Sequence, residues 1–221
     1  MLTLDEIRRA LTAHEPVTLD TCGKRPAAVA MVLRHGSRGP EVLLIERAAR
    51  EGDPWSGHMA FPGGRMEPCD THVREAAERE TFEEVGVRLM GAERLGRLDD
   101  KLGNPITRPG LVVSAYVYRV DACGGLTPNC EVRDAFWFAV SDLLDPARRV
   151  THTVRDLPFP GIRVHDDEPR IVWGLTYSFL ESFFSALGRP LPDRWAPELR
   201  LYARRIRRES VSDAAPRREE D

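Results

Sequence analysis

The segment from Arg79 to Val87, which reads Arg-Glu-Thr-Phe-Glu-Glu-Val-Gly-Val, constrains this chain more than any other. Its three glutamates, Glu80, Glu83 and Glu84, stand at positions i, i+3 and i+4, which share one face of an α-helix. Like charges placed in this way repel each other unless a counter-charge is present, and hard divalent cations bind carboxylate oxygens. The pattern predicts a helix with a metal-binding face, and a solvated surface helix is the plain alternative.

The residues that flank this helix argue against a plain surface helix. The run from Phe61 to Arg65, Phe-Pro-Gly-Gly-Arg, is typical of a strand end and a tight turn whose glycines let the backbone approach a ligand. Thr71 is the predicted N-cap of the helix, and Gly86 is predicted to end it. Arg79 lies four residues before Glu83, so we expect it to pair with a carboxylate on the acidic face and orient that group.

Eight of these positions resemble the Nudix box, which runs Gly, five residues, Glu, seven residues, then Arg-Glu-apolar-any-Glu-Glu-any-Gly-apolar. The matching residues are Gly64, Asp70, Arg79, Glu80, Glu83, Glu84, Gly86 and Val87. Three features depart from the box: Asp70 replaces the first Glu, the spacer before Arg79 is one residue longer, and Thr81 replaces an aliphatic residue. The resemblance implies a hydrolase that uses Mg2+ or Mn2+, with Glu80, Glu83 and Glu84 as metal ligands and Arg79 orienting one of them.

A second stretch resembles the coenzyme A pyrophosphatase-like branch of the same family. That branch carries Leu-Leu-Thr-any-Arg-Ser/Ala, then a later Arg and Gly, and then Phe-Pro-Gly-Gly. Here the run from Leu43 to Ala48 resembles this pattern, with Arg47, Ala48 and Gly57 fitting it, and the Phe-Pro-Gly-Gly run follows. Ile45 replaces the Thr, Gly52 stands where the second Arg is expected, and the gap is one residue longer.

The resemblance also implies roles for residues outside the helix. Arg47 is a candidate substrate-binding residue, with a surface charge at a strand end as the alternative. The glycines Gly63 and Gly64 are expected to bring backbone close to the substrate phosphates. Glu131, six residues before Trp137, resembles a loop glutamate that adds a metal ligand or acts as a base in several Nudix enzymes. The alternative for Glu131 is an ordinary charge at a strand edge.

Hydrophobic patterning predicts an alternation of strands and helices. An N-terminal helix is expected from Thr3 to Ala13, with Thr3 and Glu6 forming a capping box. The predicted strands are residues 27–34, 41–46, 59–61, 94–101, 111–120 and 134–140. Residues 149–162 are either a loop or an edge hairpin, and residues 171–173 are either a short strand or the start of a helix that runs to Ala186.

Pattern alone indicates only an α/β protein. The Nudix resemblance implies a mixed β-sheet sandwiched between α-helices, with the glutamate-rich helix against one face. We expect residues 1–22 to form an N-terminal helix and linker, residues 23–188 the Nudix hydrolase domain, and residues 189–221 a partly disordered C-terminal extension.

Composition narrows the class of protein. With 221 residues, of which 42% are hydrophobic, the chain can build one packed domain with decorations. Its formal net charge of -3 gives no indication of nucleic-acid binding. No apolar run approaches the ~20 residues that span a bilayer, and the acidic start lacks a signal-peptide pattern. The four cysteines form no Cys-x-x-Cys pair. We expect a reduced, cytoplasmic protein without a nucleic-acid or membrane partner; a homodimer stays open.

The function that the resemblance implies is hydrolysis of a pyrophosphate bond in a small-molecule nucleoside diphosphate derivative. Coenzyme A or one of its derivatives is the preferred substrate, and another nucleoside diphosphate-linked compound such as ADP-ribose is the alternative. A carboxylate would act as the base that activates a water molecule. The alternative of another class is a non-catalytic Nudix domain that senses nucleotides or binds a partner, and the presence of all three helix glutamates favours catalysis.

Overall fold

The computed structural model describes residues 2–51, 56–103, 110–121 and 124–196. Within these ranges the elements are, in chain order, α1 (Leu4–Ala13), β1 (Arg25–Gly36), β2 (Gly39–Arg47), β3 (Met59–Ala60), β4 (Gly63–Arg65), α2 (Val73–Val85), β5 (Glu93–Arg97), β6 (Lys101–Leu102), β7 (Leu111–Arg119), β8 (Val132–Ala139), β9 (Arg149–Val154), β10 (Leu157–Arg163), β11 (Ile171–Trp173) and α3 (Gly174–Ala186). Two short 3-10 turns, Asp142–Leu144 and Pro146–Arg148, connect β8 to β9. Residues 197–221 of the expected C-terminal extension lie outside the described residues, as does Gly52.

The main sheet is mixed and is centred on β1. This long strand pairs in parallel with β7 over residues 25–33. It pairs in antiparallel fashion with β4 over residues 27–29 and with β2 over residues 33–36. The strand order is β3-β2-β1-β7-β5, with β8 on β2 and β6 on β7. A separate antiparallel sheet has the order β11-β10-β9, so residues 149–162 form the hairpin rather than the loop.

Helices cover both faces of the main sheet. Helices α1 and α3 bury their apolar sides in one core, and α2 buries Ala77 and Val85 in a second core on the opposite face. The residues that α1 and α3 contribute to the first core include Leu4, Ile7, Leu11, Phe179, Leu180 and Phe183. The predicted mixed sheet between α-helices is therefore confirmed.

The caps of the helices match the sequence patterns with one exception. Thr3 and Glu6 form the predicted capping box of α1. Helix α2 ends at Gly86, whose φ of 76° places it in the left-handed region that favours glycine. The predicted N-cap Thr71 is wrong, because the N-cap is His72. The carboxylate of Glu75 accepts hydrogen bonds from the backbone N–H groups of Thr71, at 2.6 Å, and of His72, at 3.3 Å. The N-cap therefore lies one position later than predicted.

The predicted strand at residues 94–101 is also wrong, since it is divided into β5 and β6. The chain turns inward between them, where two aspartates bind the backbone of the segment before β1. Asp99 accepts the N–H of Val17 at 3.0 Å, and Asp100 accepts the N–H of Leu19 at 2.9 Å. These long-range bonds replace strand pairing at the break.

Two further observations concern the expected class of protein. In the ranges described, no helix is both long enough and apolar enough to cross a membrane. Cys22, Cys69 and Cys130 carry free thiols and are exposed.

Candidate active site

Arg79 is the centre of the charged face of α2. Its guanidinium binds both carboxylate oxygens of Asp70, with Nε–Oδ1 and Nη2–Oδ2 distances of 3.2 and 3.0 Å. The same group reaches Glu80 Oε1 at 3.0 Å and Glu83 Oε2 at 3.3 Å through Nη1. The hydrogen bonds from Arg79 hold the pKa of Asp70 below its usual value, against the effect of burial. Arg79 is thus anchored by Asp70 and directs two of the three helix glutamates.

Gly63 and Gly64 lie in strand β4, and the predicted tight turn at this position is wrong. Both positions require glycine because neighbouring atoms lie too close to leave space for a Cβ. A Cβ on Gly63, whose φ is 149°, would lie 2.3 Å from the carbonyl oxygen of Ala28 on β1. A Cβ on Gly64 would lie 2.2 Å from Glu80 Oε1. Glycine therefore lets β4 pair tightly with β1 and leaves space for the Glu80 carboxylate.

Glu84 is the most buried of the three glutamates, with a side chain that is 2% exposed. Its Oε2 accepts the backbone N–H of Gly63 at 2.9 Å, and its Oε1 lies 3.8 Å from Arg47 Nη1. Burial raises the pKa of Glu84 to about 7; the Gly63 N–H and Arg47 oppose this rise, and the charges of Glu80 and Glu131 add to it. The carboxyl of Glu84 is held in a place where its negative charge is costly.

The other two glutamates of this face differ in exposure, because Glu80 is more buried than Glu83. Burial raises the pKa of Glu80, the bond from Arg79 opposes this, and Glu83 and Glu131 add repulsion. The side chain of Glu83 is 51% exposed. Within the described residues, no three Asp, Glu, His or Cys side chains lie close enough together to form a metal site. The reason is local: Nη1 of Arg79 occupies the position between Glu80 and Glu83, and Glu84 is turned to the Gly63 N–H.

Glu131 belongs to a loop that contacts the C-terminal part of α2, where the N–H of Asn129 donates to the carbonyl of Glu84 at 3.0 Å. Glu131 lies directly before β8, and its carbonyl accepts the N–H of Ala48 at 2.8 Å, which brings the ends of β2 and β8 together. Its carboxylate pairs with Arg50 at 3.1 Å. Because Glu131 raises the pKa of both Glu80 and Glu84, the loop before β8 belongs to the same electrostatic site.

The structure brings together the residues that the sequence suggested. Glu80, Glu84, Gly63, Gly64, Arg79 and Arg47 are linked by direct contacts, and Glu131 is linked through charge and through the β2 end. Sequence reasoning missed Glu46, a buried glutamate beside Arg47 that contacts Arg133 and Arg170. Its position inside an apolar strand run was the available signal, because glutamate is rarely buried unless it is paired.

The family follows from comparison with known proteins. A model of the NUDIX domain matches residues 24–156, which is more than half of the chain and includes all the site residues above. The chain belongs to the Nudix family. Nudix hydrolases generally use divalent metal ions, and the carboxylate face of α2 is the part of this Nudix domain that offers oxygen ligands of the kind such ions prefer.

Relatives of this Nudix protein differ in length. An uncharacterized protein of Schizosaccharomyces pombe is 40% identical over 112 residues, which is 48% of this chain and 34% of that protein. The chain thus spans about a third of the length of that relative. The human mitochondrial coenzyme A diphosphatase NUDT8 is 32% identical over 180 residues, which is 79% of this chain and 74% of that protein. A MutT/nudix family protein from Enterococcus faecalis has a solved structure with a TM-score of 0.49 at 16% identity, covering 96% of this chain and 83% of the other.

Proposed function

We propose that this Nudix protein is a metal-dependent hydrolase that cleaves the pyrophosphate bond of a nucleoside diphosphate derivative. One observation carries the proposal: the region between α2 and the β2–β8 ends, here called the cleft, holds more carboxylates than cations. Glu80 and Glu83 share Arg79 with Asp70, and Glu84 lies 3.8 Å from the guanidinium of Arg47. Burial, together with repulsion from neighbouring carboxylates, raises the pKa of Glu80 and of Glu84. Such a cleft favours a small, highly charged cation.

The donor set fits a hard divalent ion. All three proposed ligands, Glu80, Glu83 and Glu84, offer carboxylate oxygens, which Mg2+ and Mn2+ prefer. A bound ion supplies positive charge that offsets the charge of the diphosphate and favours ionisation of a nearby water. Glu83 is exposed and can turn away from Arg79, while Asp70 keeps the guanidinium in place.

The residues of the chain have separate tasks in this proposal. Arg79 orients Glu80 and Glu83, and the Gly63 N–H orients Glu84. Glu131 accepts the proton as a water oxygen attacks one phosphorus and the bridging P–O bond breaks, so that the leaving phosphate departs with the electron pair. Two observations support Glu131 as the base: its loop contacts α2, where the N–H of Asn129 donates to the carbonyl of Glu84, and its carboxylate pairs with Arg50 at 3.1 Å.

Coenzyme A or a derivative is the proposed substrate, with phosphopantetheine and adenosine 3',5'-bisphosphate as products. The resemblance at Arg47, Ala48, Gly57 and the Phe-Pro-Gly-Gly run supports it, as does the similarity to the human coenzyme A diphosphatase over most of both chains. Arg47 would bind a substrate phosphate, since a guanidinium matches phosphate oxygens in two-point contact. Ile45 departs from the branch pattern, which keeps ADP-ribose as the alternative substrate.

The test is a comparison of diphosphate compounds with identification of the products. We expect coenzyme A to exceed ADP-ribose by about tenfold or more in kcat/KM, which corresponds to roughly 1.4 kcal/mol of differential transition-state binding. Arg47→Ala should reduce turnover of coenzyme A far more than that of dephospho-coenzyme A if Arg47 binds the 3'-phosphate. Equal losses on both compounds would reject that role, and faster turnover of ADP-ribose would reject the substrate.

A non-catalytic Nudix module is the second candidate, favoured by the pairing of Arg79 with Glu80 and Glu83 where an ion would bind. Calorimetric titration with Mg2+ together with a product screen separates the two candidates. The enzyme proposal expects Mg2+ binding and turnover of at least one diphosphate. Nucleotide binding without any turnover in the presence of Mg2+ would favour the module.

A further inference from the structure

We infer that Glu46 is a positioning residue that holds Arg47 in place for the anionic substrate. The inference rests on the proposed function, because it assigns Glu46 a role through Arg47 and not through contact with the reacting atoms. It goes beyond the family resemblance, since Glu46 occupies the position of the branch pattern at which any residue is accepted.

Glu46 is a buried charge with two cationic partners. The residue is 4% exposed, and its Oε1 accepts a hydrogen bond from Arg133 Nη1 at 2.6 Å. Its Oε2 lies 3.1 Å from Arg170 Nε, as an ion pair without hydrogen-bond geometry. A carboxylate is rarely buried in a strand without a task, because its desolvation costs several kcal/mol. The two arginines come from different elements, so Glu46 joins β8 to the segment before β11.

The pairing of β2 with β8 is irregular at this point. Glu46 is opposite Asp134, but the next residue, Arg47, is opposite Val132, so Arg133 is the additional residue of a β-bulge. The additional residue is the one whose guanidinium holds Glu46. Glu46 and Arg47 project to opposite faces of the sheet: Glu46 meets Arg170 on the α3 side, whereas Arg47 meets Glu84 of α2. The bulge therefore sets the direction in which Arg47 enters the cleft.

A second connection leads from the partner of Glu46 back to Arg47. Arg170 directly precedes β11, whose last residue, Trp173, packs its ring against His58 at a centroid distance of 4.6 Å. The carbonyl of His58 accepts the backbone N–H of Arg47 at 3.1 Å. Glu46 thus fixes Arg47 from both neighbouring strands, through the bulge in β8 and through the contact of β11 with the start of β3.

The expected consequence is on substrate binding more than on the chemical step. Loss of the Glu46 charge leaves Arg133 and Arg170 without their shared partner, so the bulge loosens and Arg47 samples other directions. A misdirected Arg47 binds the substrate phosphate less well, which raises KM, while the carboxylates of α2 keep their arrangement. Glu46→Gln is the closest isosteric change, because it removes the charge and retains the volume.

The experiment compares Glu46→Gln with a matched control on the same strand. Glu41 lies near the other end of β2 and pairs with Arg34 on β1 at 2.8 Å, so Glu41→Gln also removes a strand carboxylate from an arginine. With the best diphosphate substrate, we expect Glu46→Gln to raise KM by about fivefold or more with kcat within about twofold. The control should keep the wild-type KM.

A double-mutant cycle with Arg47→Ala shows whether Glu46 acts through Arg47. If it does, Glu46→Gln has no further effect on KM once Arg47 is absent. Additive losses in the double variant would overturn the inference, as would a Glu46→Gln variant with wild-type KM. Wild-type protein that hydrolyses no diphosphate would overturn the proposed function instead, so the two failures are distinguishable.

A second variant guards against loss of folding on changing a buried residue. Arg133 has a side chain that is 62% exposed, so Arg133→Gln removes the hydrogen-bond partner of Glu46 from the surface. We expect a smaller rise in KM than for Glu46→Gln, of about twofold to fivefold, with the free energy of unfolding essentially unchanged. A wild-type KM in Arg133→Gln would overturn the positioning role, including the case in which Glu46→Gln does not fold.

Discussion

Two clusters of arginine and carboxylate side chains in this protein have similar composition but shift the pKa of their acids differently. In one cluster the pKa values of Glu80 and Glu84 are raised, and in the other the pKa of Asp99 is lowered. The first, here the α2 cluster, comprises Asp70, Arg79, Glu80, Glu83 and Glu84. The second, here the linker cluster, comprises Arg97, Asp99, Asp100 and Ser114 together with the backbone of Val17 and Leu19. Both include deeply buried carboxylates, so burial alone does not distinguish a site from a structural support.

The linker cluster gives its carboxylates enough donors. Asp100 accepts bonds from Arg97 at 2.7 and 2.9 Å, from Ser114 Oγ at 2.8 Å and from the Leu19 N–H. Burial pushes the pKa of Asp99 upward, but the Val17 N–H, Lys101 and other donors bring it below its usual value. These bonds favour Asp99 as an anion, and both aspartates hold the N-terminal linker against the sheet.

The α2 cluster has too few donors for its acids. Burial and mutual repulsion raise the pKa values of Glu80 and Glu84, in spite of Arg79 and the Gly63 N–H. The comparison teaches that the balance of donors to acceptors, and not the burial or number of carboxylates, distinguishes a ligand site from a structural one. Four predictions test this difference, from the largest expected effect to the smallest.

Removal of divalent metal should abolish activity and leave the linker cluster unaffected. Turnover should be lost in EDTA and return with excess Mg2+ or Mn2+, because only the α2 cluster needs an added cation. Zn2+ should activate less well, since the proposed ligands are hard oxygens without His or Cys. A coupled phosphate assay measures this, and full activity after exhaustive chelation would contradict the metal mechanism.

Glu84→Gln should reduce kcat by at least about 100-fold with the fold intact, and Glu83→Gln should also remove most activity. The loss of a ligand charge weakens metal binding, whereas the amide still accepts the Gly63 N–H in the Glu84 variant. Steady-state kinetics with Mg2+, paired with circular dichroism, measures both effects. Wild-type turnover in either variant would remove that glutamate from the proposed ligand set.

Asp100→Asn should have the reverse effect, with lower stability and unchanged catalysis. One oxygen of Asp100 becomes an amide nitrogen that cannot accept from Arg97, Ser114 or Leu19, so we expect a loss of about 2–3 kcal/mol in the free energy of unfolding. Urea denaturation gives the free energy, and kcat/KM should stay within about twofold of wild type. A large kinetic change with normal stability would show that the two clusters are coupled.

The pH dependence of stability should differ in sign between the clusters. The folded-state pKa of Glu84 is about 7, against 4.5 in the unfolded chain, so in EDTA its contribution to the free energy of unfolding falls as pH rises from about 4.5 to 7. Asp99 has a lowered folded-state pKa, so its contribution is present above its ordinary pKa and is lost on acidification through the folded value.

Denaturation of wild type and Glu84→Gln in EDTA at pH 5 and pH 8 measures the contribution of Glu84 to the pH dependence of stability. The variant should show a smaller loss of stability between these values, by on the order of 1–3 kcal/mol. Addition of Mg2+ should stabilise the wild type more at pH 8 than at pH 5, since the ion binds the ionised carboxylate. Equal pH slopes for the two proteins would contradict the raised pKa of Glu84.

The sequence predicted the features that depend on short spacing. The acidic helix, its Gly86 terminus and the capping box at Thr3 are set by residues a few positions apart, and each is present. Features that depend on distant partners were missed. Residues 94–101 form two strands because Asp99 and Asp100 bind backbone more than 80 residues away. Gly63 and Gly64 look like a turn until β1 is placed beside them. Glu46 and Arg170 are likewise distant in sequence and meet only in the fold.

Strand β1 has a further consequence, for the way the chain folds. Its parallel pairing aligns Arg25 with Leu111, so the closing contact spans 86 residues and carries a large loop-closure entropy. Strand β4 uses the same β1 residues, 27–29, on its other edge. Strand β4 pairs with the opposite edge of β1, so it can form before β7 has docked. On the ribosome, β4 and α2 should therefore form early, and the site should be complete once Glu131 and β8 have emerged.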